Sequence, residues 1–158
     1  MDGIELYRRR WYPLGVRTLG IDYGERRIGL SLSDPTGLLA SPWKTLAHDA
    51  NVGAAATRIA REIALLDEGD RPQAIVIGLP RRLNGEPNQQ TPRVEKFAAA
   101  LRDLTSLPIA LQDERLTSLE ADAILAQRER DWRKRKANLD AMAAAVILQD
   151  YLDTQPRR

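Results

Sequence analysis

The chain has 158 residues, of which 43% are hydrophobic and 29% charged, a net charge of +2 and no cysteine. That length supports one domain with its own core, and the balance of apolar and charged residues excludes a disordered chain. Disulfides, a thiol nucleophile and cysteine-ligated metal centres are excluded, no apolar run is long enough to span a bilayer, and no membrane partner is expected.

Residues 1–16 read as a loose leader carrying Arg8, Arg9 and Arg10 but no apolar signal core, which points to the cytoplasm. A domain is expected over 17–153 and a short tail over 154–158. Arg17 to Asp22 reads as a buried strand ending in an acid. Tyr23-Gly24-Glu25-Arg26 is a turn, and Arg27 to Ser33 alternates as a hairpin partner does. Asp34-Pro35-Thr36-Gly37 is a second turn. Leu38 to Leu46 forms a third strand, which Pro42 marks as an edge or a bulge.

Asn51 to Asp67 has helical spacing, with Asn51 as its cap. Ala74 to Ile77 reads as a strand buried on both faces. Thr91 to Leu104 is a second helix with Pro92 in its first turn, and Pro108 to Gln112 another buried strand. Thr117 and Glu120 form a capping box for a third helix, and Asn138 opens a last helix through Leu152. The order, three strands, helix, strand, helix, strand, helix, helix, predicts a mixed α/β sheet with helices packed on it, the ribonuclease H-like architecture.

Asp22 closes an apolar strand and stands before Gly24. Glu114 closes another, with Asp113 beside it. Neighbouring strand residues point to opposite faces, so only one of these two acids can face a site shared with Asp22, and the pattern leaves the choice open. If the two strands are parallel neighbours, roughly 5 Å apart, the acids meet at the carboxyl edge where open α/β sheets bind ligands. Asp140 lies in the first turn of the last helix, where an acid complements the helix dipole. It shares a face with Ala144, Ile147 and Tyr151, and Ala141, Ala143, Ala144 and Ala145 make a small-residue surface for close approach to the sheet. Three carboxylates on three elements suit Mg²⁺ or Mn²⁺, and two such ions about 4 Å apart can cleave a phosphodiester. The one histidine, His48, reads as a surface residue in a polar turn, which excludes Ser-His-Asp or Cys-His catalysis.

These residues resemble the YqgF/RuvX family. The resemblance rests on Leu19-Gly20-Ile21-Asp22-Tyr23-Gly24 with Arg27-Ile28-Gly29-Leu30 and Ser33-Asp34, on Ile77-Gly78-Leu79-Pro80 with Asn84-Gly85, on Asp113-Glu114-Arg115-Leu116-Thr117-Ser118, and on Asp140 to Gln149 with Tyr151-Leu152-Asp153. It implies a fold related to Holliday-junction resolvases and a metal-dependent nuclease that matures the 5′ end of the small-subunit (16S) ribosomal RNA precursor, with ribosomal particles as further partners. It also implies Asp22, Glu114 and Asp140 as catalytic and metal-binding acids, Glu114 rather than Asp113. The leader lies outside the resemblance. Junction resolvases of this fold carry a further acid three residues after the first in the last helix, where this chain has Ala143, which leaves open whether there is a second ion, and one would either bind only with substrate or lean on a phosphate oxygen. Asp34 is a further candidate ligand beside its turn role.

Basic residues cluster at Arg8–Arg10, Arg26–Arg27, Arg81–Arg82 and through Arg128 to Lys136. The Arg26–Arg27 pair reads as solvated surface. Arg81, Arg82 and Arg115 are candidates for gripping phosphates, Arg115 equally for a structural ion pair. Arg133, Lys134, Arg135 and Lys136 form a basic loop for nucleic acid, in which Trp132 either stacks on a base or caps the core. Two other classes compete with a nuclease for ribosomal RNA precursor or branched DNA. Gly20 to Gly24 also resembles the first phosphate motif of actin- and sugar-kinase-type ATPases, but one copy stands where those proteins need two domains. A nucleic-acid-binding module without chemistry would use the same basic clusters.

Overall fold

The sheet begins with three strands in succession, β1 (Thr18–Tyr23), β2 (Arg27–Ser33) and β3 (Ala40–Ala47), paired antiparallel. The computed structural model describes residues 15–48, 51–114, 127, 130–131, 133–134 and 138–156. Helix α1 (Val52–Ala64) leads to β4 (Ala74–Leu79), and helix α2 (Thr91–Leu104) leads to β5 (Ile109–Asp113). Both of these strands join in parallel, giving the order β3-β2-β1-β4-β5. The last helix, α3, covers Leu139–Thr154.

Local chemistry explains the boundaries. The Asn51 side chain accepts a hydrogen bond from the Ala54 N–H and so caps α1. Pro92 occupies the first turn of α2, where its missing N–H costs nothing. Gly37 adopts φ 70°, closing the β2–β3 turn. Pro42 sits on the edge strand, where the register shifts between Leu30 and Ser31, as its missing donor requires. β4 is buried at every residue, as a strand covered on both faces must be. The helix expected after Thr117 lies outside the described residues.

The two sheet faces are differently furnished. Leu19, Ile21, Ile28, Leu30, Ile75 and Ile77 pack under α1 and α2 around Phe97, and all are fully buried. The opposite face carries Gly20, Gly29, Ser31, Val76 and Gly78 in place of large side chains. On it lies α3, with Ala145, Ile147, Leu148 and Tyr151 buried against Val76 and Ala40. The alanine-rich surface of α3 therefore meets a glycine-rich surface of the sheet, and close approach is made from both sides. The result is a three-layer ribonuclease H-like α/β arrangement.

One expectation needs correction. β1 and β5 are not neighbours: β4 runs between them. Sheet order depends on crossover paths that strand patterns do not encode, so the two strand-end acids stand two strand spacings apart, roughly 10 Å by backbone.

Candidate active site

Glycine resolves the separation. Asp22 pairs with Gly29 on β2, and continuing the β1–β4 ladder past Ile21 and Ile77 sets it beside Gly78. A Cβ on Gly78 would stand 3.2 Å from both the Glu114 carboxyl carbon and its Oε2. The Glu114 carboxyl thus lies over the middle strand, in room a side chain there would take, and reaches towards Asp22. The Glu114 N–H still donates to the Leu79 carbonyl at 3.3 Å, so the ladder runs to the acid itself. Alternation from Gln112, whose side chain donates to Asp150 of α3, puts Glu114 on the α3 side and Asp113 on the other.

Asp140 arrives from the opposite layer. A Cβ on Gly29 would collide with the Asp140 backbone carbonyl, so the first turn of α3 rests directly on β2 across from Asp22. Within α3, the Ala144 carbonyl accepts from the Ser31 hydroxyl at 2.8 Å. This hydroxyl is buried and anchors the helix along the glycine face.

The electrostatics record the crowding. Burial, followed by repulsion from Asp140, pushes the Asp22 carboxyl up to about 6. Burial, then Asp22, then Asp113, pushes Glu114 up to about 8. Both shifts record burial and the mutual repulsion of neighbouring carboxylates. Asp140 is held by a cation, Arg27, whose Nε donates to Asp140 Oδ2 at 2.8 Å. Arg27 was read from sequence as solvated surface; alternation with Gly29 and Ser31 was the signal that it shares the face of Asp22.

The acids suit hard cations, since every donor is a carboxylate oxygen. The Glu114 carboxyl laid over Gly78 and the crowding of like charges around Asp22 fit a divalent ion. Among the described residues, however, no three acidic or histidine side chains are yet disposed to hold one ion. The elements converge, and closure of the ligand set remains to be made.

The other candidates divide. Asp34 stands at the far end of β2 and takes the Leu38, Leu39 and Thr36 N–H groups at 2.8–3.1 Å. Slight burial works against its charge, but these bonds outweigh it and hold the carboxyl at about 2. Asp34 is a turn residue, away from the acids. His48 is half-buried against the Tyr23 ring, 4.9 Å between centroids, and contacts the Arg93 guanidinium, so it is no free surface residue. The same Arg93 donates to the Gly24 carbonyl and fixes the turn after Asp22, a support that sequence reading missed.

Arg81 and Arg82 follow β4 in a small hairpin closed by an Arg81–Pro87 bridge. Arg81 is half-buried and donates to the Gly85 carbonyl at 3.3 Å, whereas Arg82 is exposed. Arg133 and Lys134 are exposed, and the Lys134 carbonyl accepts from the Asn138 N–H at 3.0 Å, so they stand one turn before α3. Arg115, Trp132, Arg135 and Lys136 lie outside the described residues. No helix among the described residues is long and apolar enough to cross a membrane.

Comparison with known proteins agrees with this geometry. The family model RuvX, described as Holliday junction resolvase, matches residues 16–154. A protein of Geobacillus kaustophilus named "Putative pre-16S rRNA nuclease" is 40% identical over 140 residues, covering 89% of this chain and 99% of the relative. One of the same name from Roseiflexus sp. is 39% identical over 139 residues, covering 88% and 95%. The crystal structure of the yeast mitochondrial Holliday junction resolvase Ydc2 matches with a TM-score of 0.51 at 16% identity, covering 95% of this chain and 82% of that one, a likeness of fold. With a family model spanning nearly all of the described sheet and helices, and relatives matched over almost their full lengths, the chain belongs to the RuvX family.

Proposed function

We propose that the protein is a metal-dependent nuclease that hydrolyses phosphodiester bonds of the small-subunit ribosomal RNA precursor. The observation that carries this reading is the convergence of the elements bearing Asp22, Glu114 and Asp140 on one sheet edge, where burial and neighbouring carboxylates raise the first two. Asp22, Glu114 and Asp140 would hold Mg²⁺ or Mn²⁺, which supply a more acidic water and charge for the leaving oxygen. Asp22 would be the central ligand, with Glu114 from β5 and Asp140 from α3 approaching it on either side. Arg82, with Arg133 and Lys134, offers phosphate contacts at the rim. The named relatives support the RNA substrate, and with it a cytoplasmic setting among precursor ribosomal particles.

The test is cleavage of precursor ribosomal RNA by purified protein with Mn²⁺. Asp22→Asn keeps the shape of the side chain and removes its charge. It should lower the rate by at least roughly 10²–10³, the scale for losing a group that organises transition-state charge, with the thermal midpoint retained. Full activity in that variant would overturn the assignment. The family description favours one second reading, a branched-DNA nuclease. Faster cutting of a four-way junction than of the RNA, measured side by side, would select it.

A further inference from the structure

Among the described residues, Arg27 is a cation of the site that the acid constellation leaves without a task. It projects from the start of β2, on the same face as Gly29 and Asp22, and its Nε–H holds Asp140 Oδ2 at 2.8 Å. Its side chain is 62% exposed and that of Asp140 29%, so the guanidinium can leave without crossing a packed layer. The α3 backbone at Asp140 is fixed against Gly29, whereas the exposed ion pair is the loose part. Among the described residues no three acids yet enclose one point, although their elements converge. Of these acids, Asp140 is held by the Arg27 guanidinium.

We infer that Arg27 is a resident counter-cation of the acid site, displaced from Asp140 when a divalent ion loads and then free to meet the substrate phosphate. The first half is a competition for the Asp140 carboxylate: Arg27 holds its Oδ2, and a divalent ion drawing the group inward carries the larger charge. The second follows from position and chemistry. A released guanidinium at the rim presents a planar fork matched to phosphate oxygens. Loading and substrate capture would thereby be coupled, because the protein gains its phosphate ligand only once the ion is in place. Arg27 acts on loading through Asp140 and is there a positioning residue. The inference rests on the acid-site reading above, and the experiment separates the two.

Metal-free protein is titrated with Mn²⁺ without nucleic acid, following the spin-resonance signal of free ion, for wild type, Arg27→Gln and Arg27→Lys. Arg27→Gln should bind Mn²⁺ roughly fivefold more tightly, the scale of a half-exposed ion pair that no longer has to be broken, and Arg27→Lys should stay near wild type. In wild type the Arg27 Nε–H resonance should move towards that of a free arginine on adding Mg²⁺, a readout that needs no variant. With Mn²⁺ saturating, Arg27→Gln should raise KM for the RNA more than it lowers kcat. Equal or weaker Mn²⁺ binding by folded Arg27→Gln, or an Nε–H signal indifferent to Mg²⁺, overturns the displacement while leaving the acid site standing. Failure of wild type to bind Mn²⁺ overturns both. An unchanged KM removes the phosphate role.

Discussion

Glu114 and Asp22 are held protonated to unusually high pH, about 8 and about 6, by burial first and by neighbouring carboxylates second. A carboxyl whose folded value exceeds its unfolded one contributes stability that is fully present below the unfolded value and lost as pH rises through the folded value. For Glu114 that window runs from its ordinary 4.5 up to about 8. The thermal midpoint of chelator-treated protein should therefore fall by roughly 5–10 °C between pH 5 and 9. Glu114→Gln or added Mg²⁺ should flatten most of that slope, and a level profile for chelator-treated wild type would mean that the carboxyl is well solvated. Asp22 was legible in the sequence because an acid closing an apolar strand before a glycine is a local pattern. The choice of Glu114 over Asp113 was not legible from the residues alone. It depends on how β5 registers on β4, a relation between segments over 30 residues apart that needed either the family resemblance or the structure.

The elements carry a second set of expectations, centred on the contact of α3 with the sheet. Gly29→Ala puts a methyl group into the Asp140 backbone, so helix or strand must shift. A cost of about 1–3 kcal/mol is expected from overpacking, together with weaker Mn²⁺ binding, read by denaturant unfolding and ion titration. Gly78→Ala meets the tip of Ile147 at 2.7 Å and the Glu114 carboxyl at 3.2 Å. Flexible side-chain ends can yield, so this variant should lose more activity than stability, the reverse of Gly29→Ala. Asn51→Ala, far from the acids, should cost about 1 kcal/mol through the lost cap of α1 and leave cleavage unchanged. Strand and helix positions were readable because each segment repeats with its own period, and Thr91–Leu104 and Arg27–Ser33 fall where that period put them. Strand order was not, since β4 enters between β1 and β5 through a crossover that leaves no mark on either strand.

For the molecule as a whole, a net charge of +2 gives no general attraction to a polyanion, so binding must come from where the cations stand. Substituting exposed Arg82 by Ala should weaken nucleic-acid binding similarly for all sequences and lower the salt slope of log K by about 1; an unchanged slope would take Arg82 out of the contact. The seating of α3 has a wider consequence for how such chains can vary in length. Glycines at 20, 29 and 78 cut a trough across three strands, and α3 lies in it along one line of contact. Each residue of a helix turns its successor by about 100°. One amino acid inserted between Asp140 and Ala144 would swing the acid out of the notch or lift Leu148 from the trough, and no rotamer change could restore both. Additions before Asn138 leave that phase untouched. Length polymorphism should therefore collect ahead of the helix and be shut out of its first two turns.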